Sequence, residues 1–346
     1  MESKKSFTDQ VLEINLVTKD NEFARSIFLN DFFTNLSENV QKDFKKLLSK
    51  FHFTQRQKQG WTCEHEGCTL QSCYSHEISE NVFLKQIADR EAQVVIFKRD
   101  VRHNPAFFIE SRVHKRDASN FPGYCSAHDA TLFKDIENGE PALTDYFVNK
   151  QCLRTTRRER FEIEAQILTA NDFIQSIPNE LAKIEEINTA VGRIKDKISN
   201  LQKRLDRVIK LYTQIQNGIT NENYVVRYNE INVSKTGYFF STMADLSIDE
   251  DSQPCILFLY KLDFGDHARV LVCALENEIS SAAAQELGSE LSETFLEAIY
   301  DRKQRLLFSQ TFMDSMSDNA KQILRRDSEL YELTAVDRLI LSNELL

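Results

Sequence analysis

The sequence predicts a mostly helical α+β protein with a small zinc module, a long heptad helix, and a small antiparallel sheet packed with C-terminal helices. Three observations carry that expectation. Cysteine and histidine crowd into residues 61–141, apolar residues recur every seven positions from Ile184 onward, and beyond Gly218 the apolar pattern changes to a period of two or to unbroken runs. Helices and strands place core side chains at different spacings, so a change of period marks a change of element.

In chain order, Phe23, Ile27, Phe28, Phe32, Phe33 and Leu36 keep helical spacing within residues 7–50, which makes 1–60 an N-terminal helical segment. Gly60-Trp61 opens the metal-binding module, 61–141. There Gln93–Lys98 and Ala106–Ile109 read as short strands and Asn81–Arg90 as a helix. Helical spacing returns from Thr144 to about Ile177, and Pro178 suits the first turn of the next helix. Ile184, Val191, Ile198, Leu205 and Tyr212 then recur every seven residues, with Ile187, Ile194, Leu201, Val208 and Ile215 three positions behind. That seam predicts either a coiled coil with another chain or a hairpin against the preceding helix, and Asn217-Gly218 stops it. The segment 142–218 is thus long helices. In 219–346, an α+β C-terminal domain, Cys255–Tyr260 and Val270–Leu275 are expected to pair as an antiparallel hairpin through Asp263-Phe264-Gly265-Asp266.

Composition narrows the function. The chain has 346 residues, 41% hydrophobic and 28% charged, as globular proteins do. It contains no apolar run near the roughly 20 residues needed to cross a bilayer, and its start lacks the apolar stretch of a secretory signal, so a cytoplasmic location is expected. Seven cysteines, four of them crowded between Cys63 and Cys125, favour metal over disulfides in a reducing compartment. Cys152, Cys255 and Cys273 sit in apolar or helical patterns and read as small buried hydrophobes. The net charge of −10 excludes a general nucleic-acid coat. The excess is confined to residues 161–346, with 19 basic against 30 acidic, whereas residues 1–160 hold 24 against 23. Two basic stretches, 40–58 and 98–116, flank the metal region, and Arg154, Arg157, Arg158 and Arg160 crowd one helical stretch. These arginines read as a phosphate-binding face or, more commonly for such a run, a solvated one.

The metal region holds Cys63-x4-Cys68 against Cys125-x2-His128. A structural Zn²⁺ takes four Cys or His ligands in a tetrahedron, and two short pairs far apart in sequence let one ion tie both segments together, the pattern of a treble clef. Cys63, Cys68, Cys125 and His128 are the expected ligands, with Cys73 or His76 able to displace one of them and His65 also within the region. A nucleophilic Cys125 with His128 as its base is the poorer reading, because two residues between them suit a shared metal.

With Ser75-His76 after the first pair, Asn120 five positions before Cys125, and Asp129 just after His128, the region resembles the HNH nuclease superfamily. That resemblance covers about a fifth of the chain. It implies His76 as the general base that activates water, Asn120 as the residue orienting the loop or His76, and Asp129 as a holder of a divalent ion, Mg²⁺ or Mn²⁺, beside the structural zinc. The chain departs from that pattern at three points. Ser75 stands where an acidic or imidazole ligand is usual, His128 stands where a cysteine is usual, and 43 residues separate His76 from Asn120. A buried histidine bonded to backbone, or a fourth zinc ligand, is the competing reading of His76. The order Ser75-His76-Glu77-Ile78, Gly123-Tyr124-Cys125, His128-Asp129, Leu132-Phe133 and Ile136-Glu137 is also similar to a bacterial family with a long helical middle and a C-terminal hairpin, for which phage defence is a hypothesis. Two functions are therefore expected: a metal-dependent endonuclease acting on nucleic acid, or a non-catalytic interaction protein in which zinc is a staple. In the second, residues 184–215 would pair with a second copy in a homo-oligomer or with a partner helix.

Overall fold

The computed structural model describes residues 60–99, 108–138, 142–179, 181–234, 237–246, 255–264, 267–276, 295–326, 328 and 331–346. The helices expected in residues 7–50, the basic stretch 40–58, and the side chains of Arg99, Arg102 and Cys255 lie outside the described residues. The fold is α+β with antiparallel sheets. Its strands are β1 (Tyr74–His76), β2 (Gln93–Arg99), β3 (Phe108–His114), β4 (Asn120–Pro122), β5 (Val226–Val233), β6 (Tyr238–Leu246), β7 (Cys255–Phe264), β8 (His267–Leu275) and β9 (Leu307–Phe308). The helices that matter below are α1 (Ser126–Glu137), α2 (Asp145–Ser176), α3 (Glu185–Thr220), α4 (Gln310–Ser315), α5 (Asp318–Arg325) and α6 (Ala335–Leu345).

Among the described residues, seven strands form one sheet in the order β3-β2-β9-β6-β7-β8-β5, and β1 and β4 form a separate two-stranded ribbon. The expected hairpin is present, with Phe264 paired to His267 across the β7–β8 turn. The sheet owes its unbroken apolar strands to burial on both faces. Leu257, Leu259, Val270 and Val272 alternate onto one face and pack with Phe295, Ile299, Met313, Ile323 and Leu341 from the C-terminal helices. On the opposite face the Tyr260 hydroxyl donates to Thr155 Oγ1 at 3.1 Å and lies 3.4 Å from Cys152 Sγ, so the first half of α2 lies there. Phe83, Phe147, Phe239 and Phe264 close that side edge to face. Cys152 and Cys273 are fully buried, as small hydrophobes should be.

Two compact units divide the chain. One takes in Arg160–Ile209; the other takes in Trp61–Lys98, Phe108–Glu159 and Lys210–Leu346, and both long helices belong to each in part. In the first unit Phe161, Ile163, Ala170 and Phe173 of α2 are buried, as are Ile187, Ile194, Leu205 and Val208 of α3. On α3, Ile187, Ile194, Leu205 and Val208 are buried while Val191, Ile198 and Leu201 are half-buried. These side chains are covered within a single copy of the chain.

In the second unit α2 departs from the usual amphipathic design. Asn149, Gln151, Arg154, Thr155, Thr156, Arg157 and Glu159 are all buried. Such a polar helix is stable inside a protein only if its charges are paired and hydrogen-bonded. Arg154 Nη2 donates to Glu137 Oε1 at 2.6 Å and its guanidinium lies over the Phe133 ring at 4.1 Å. Arg157 Nε lies 3.5 Å from Glu64 and Arg158 pairs with Glu77. Both sequence readings of this arginine run are therefore corrected for Arg154 and Arg157. Neither forms a surface phosphate site or a solvated face, because both are buried, held by partly buried carboxylates and, for Arg154, by an aromatic ring.

Candidate metal centre and the His76 face

Residues 61–72 double back on themselves. Thr62 and Gln71 form an antiparallel bridge, the Cys63 N–H donates to the Leu70 carbonyl at 2.8 Å, and the Cys68 N–H donates to the His65 carbonyl at 2.9 Å. Gly67 makes the turn at φ +73°, a conformation that costs glycine nothing. The Ser72 N–H and hydroxyl both donate to the Trp61 carbonyl, at 2.9 and 3.0 Å, closing the base of the loop.

The second ligand pair sits at the start of α1, where Cys125 occupies the N-cap position and His128 the first turn. Backbone bonds join the two segments. The Cys73 N–H donates to the Tyr124 carbonyl at 2.7 Å, and the Glu64 N–H to the Gly123 carbonyl at 3.3 Å. Gly123 is required for this approach, because a Cβ there would stand 3.0 Å from both the Phe121 ring and Ser75 Oγ.

The ligand atoms of Cys63, Cys68, Cys125 and His128 consequently lie within 4.8 Å of one another. The sulfurs of Cys63 and Cys125 each stand 3.3 Å from His128 Nδ1. Three thiols and one imidazole make a donor set that can bind a metal such as zinc. The backbone N–H of His128 at the helix start pulls the Cys125 thiol below its usual range, while burial pushes Cys63 up. His65 stacks flat on His128, with ring centroids 3.8 Å apart, and so covers the site from outside the ligand group. Cys73 and His76 also stand outside it. No family model, curated protein or solved structure matches this chain. Function must therefore be read from the geometry.

His76 and Asn120 are brought together. They are direct cross-strand partners on the ribbon, His76 at the end of β1 and Asn120 at the start of β4, the strand that leads into α1. Both side chains bond one acceptor, the Arg116 carbonyl, from His76 Nε2 at 3.0 Å and Asn120 Nδ2 at 3.3 Å. Glu80 Oε2 lies 3.9 Å from the same imidazole nitrogen, and Lys115 Nζ lies 3.4 Å from Glu80 Oε1. Asp129 is placed apart from them. Burial raises the Cys73 thiol and the Tyr124 hydroxyl, the charge of Asp129 adds to both, and among the described residues no contact joins it to His76 or Asn120. Its Oδ1 and the hydroxyl of Ser75 are buried without a hydrogen-bond partner there.

Sequence reasoning missed Glu77, the residue beside His76. It is fully buried, with one carboxylate oxygen accepting from Ser241 Oγ at 2.8 Å and the other paired with Arg158, while Arg305 lies 3.6 Å away. The available signal was an acidic residue directly before the buried run Ile78, Val82 and Phe83, where a carboxylate must find buried partners.

Proposed function

We propose that residues 61–138 form a zinc-stabilised treble-clef module of the HNH kind that hydrolyses nucleic-acid phosphodiesters, with His76 as the general base. The observation that carries this is the bond from His76 Nε2 to the Arg116 carbonyl. A carbonyl only accepts, so Nε2 holds the ring proton and Nδ1 is left as the basic nitrogen. The ring is 15% exposed, which gives water access to it. Asn120 bonds the same carbonyl and thereby fixes the loop that orients the base. The order of knuckle, strand, strand, and helix with ligands in its first turn supports the treble clef, in which zinc would fasten Cys63 and Cys68 to the start of α1. A divalent cation such as Mg²⁺ or Mn²⁺ would stabilise charge on the scissile phosphate. Asp129 Oδ1 is the buried oxygen available to hold it.

Zinc-loaded protein supplied with Mg²⁺ or Mn²⁺ is expected to cut DNA or RNA. His76→Ala should lower the rate by roughly 10²- to 10⁴-fold, the usual contribution of a general base, with zinc content unchanged. Nucleic acid left intact by the zinc-loaded wild type would overturn the proposal.

A second reading is favoured by the separation of Asp129 from His76 and Asn120. There the chain is a non-catalytic interaction protein, zinc is a staple, and residues 184–215 serve a partner helix or a second copy. Light scattering tests it directly, since a strict monomer leaves the α3 seam to contacts within the chain.

A further inference from the structure

We infer that the outer face of the β1–β4 ribbon is a stacking platform for single-stranded nucleic acid, with Tyr74 as the residue on which a base lies. The inference rests on the nucleic-acid reading above and names the form of the substrate. Side chains alternate along a strand, and β1 obeys this, with Ser75 buried between Tyr74 and His76. Tyr74 and His76 therefore share the outer face, about 7 Å apart at two residues of strand rise. Tyr74 is 66% exposed, and among the described residues its ring and hydroxyl have no hydrogen-bond, ring or cation partner. Leu70, on the knuckle, is 60% exposed.

The cationic side of the platform is the turn that holds His76. Arg116 gives its carbonyl to His76, and its own side chain is exposed and without an ion pair among the described residues. The Arg116 N–H donates to His114 Nδ1 at 3.1 Å, which fixes the turn, and Lys115 is engaged by Glu80. Asp117, exposed in the same turn, is the opposing charge. Among the described residues, Arg154 and Arg157 are buried and so offer no phosphate contact to this face. An exposed aromatic face gains most from bases that are already unstacked, and those belong to single strands. A protein-docking patch normally presents several hundred square ångströms of contiguous apolar surface, whereas polar Gln71 and Ser72 separate Leu70 from Tyr74.

Zinc-loaded protein without Mg²⁺ or Mn²⁺ is to be titrated into a short labelled single strand of DNA or RNA and into its duplex, with fluorescence anisotropy as the readout. Single strands should bind more tightly than the duplex. Tyr74→Ala should weaken that binding roughly tenfold, Tyr74→Phe should preserve it, and both variants should keep their zinc and circular dichroism. Equal binding of duplex and single strand, or binding indifferent to Tyr74→Ala, would overturn the inference. So would the absence of binding together with loss of a wild-type oligomer in Tyr74→Ala, which would assign the face to a protein. Tyr74-dependent binding without cleavage upholds the platform and removes the hydrolytic reading; cleavage with Tyr74-independent binding does the reverse.

Discussion

Chelating zinc from the purified protein is expected to unfold the knuckle and the β1–β4 ribbon while the seven-stranded sheet stays folded. The ribbon has three residue pairs, too few to persist unaided, and the knuckle is held by a handful of backbone bonds. Removing the ion also leaves the buried Cys63 and Cys125 joined only by weak sulfur contacts to His128. Metal binding to a site that the unfolded chain lacks is folding free energy, of order 10 kcal/mol in small zinc peptides. The effect here is confined to one region, because Tyr124 remains tied to Tyr212 by a 2.7 Å hydroxyl pair and Phe133 remains fully buried. Hydrogen exchange should show the amides of Cys63, Cys68 and Cys73 losing protection as those of β6–β8 keep theirs. Cys125→Ser should reproduce the pattern and lower zinc below about one per chain. Because the thiols and His128 must lose protons to bind, affinity should fall as pH is lowered. A wild-type protein that carries no zinc, or amides that stay protected after chelation, would defeat this account.

Local patterns were legible because they depend on neighbours in sequence. The 3.6-residue spacing located α2 and α3, the cysteine spacing picked out the group at the start of α1, and the run through Asp263-Phe264-Gly265-Asp266 located the β7–β8 hairpin. Pairings between distant segments were not legible. β9 has two residues, too few to show a period, yet it joins β2 to β6 through Leu307 and Phe308. Of the strand expected at Ala106–Ile109, Phe108 and Ile109 lie in β3, which runs on to His114 through polar Glu110, Ser111 and Arg112 that break the apolar signal, while Ala106 and Phe107 lie outside the described residues. The arginines of α2 were misread for a physical reason. Sequence alone assigns charge to water, and nothing local to Arg154 or Arg157 shows that Glu137 and Glu64 meet them inside. For His76, the sequence left a base and a backbone-bonded histidine as alternatives. The Arg116 carbonyl accounts for one ring nitrogen and leaves the other as an acceptor, so the two readings are compatible in one residue.

Glu77→Ala is expected to destabilise the fold more than any substitution in the metal centre's outer shell. The carboxylate accepts from Ser241 and faces both Arg158 and Arg305, while its own carbonyl accepts from Gln151 Nε2 at 2.8 Å and its N–H donates to the Ser119 carbonyl at 2.9 Å. Arg305 also bonds Glu159 at 2.9 Å, so two carboxylates face two guanidinium groups in a region closed to water. Truncation removes one of those negative charges and leaves a buried excess of positive charge, a change that usually costs about 3–5 kcal/mol. That is a large share of the 5–15 kcal/mol by which domains are stable. Glu77→Gln keeps the volume and the bond to Ser241 but loses the charge, so its cost should be smaller though still measurable. Chemical denaturation of both variants decides the matter, and Glu77→Ala within about 1 kcal/mol of wild type would show that the network contributes little. Glu77 is covalently next to His76, and the strand that carries the candidate base is therefore anchored by the same carboxylate to α2 through Arg158 and to β6 through Ser241. A fall in any His76-dependent activity in Glu77→Gln, at a temperature where that variant remains folded, would mean that the buried network also sets the position of the imidazole.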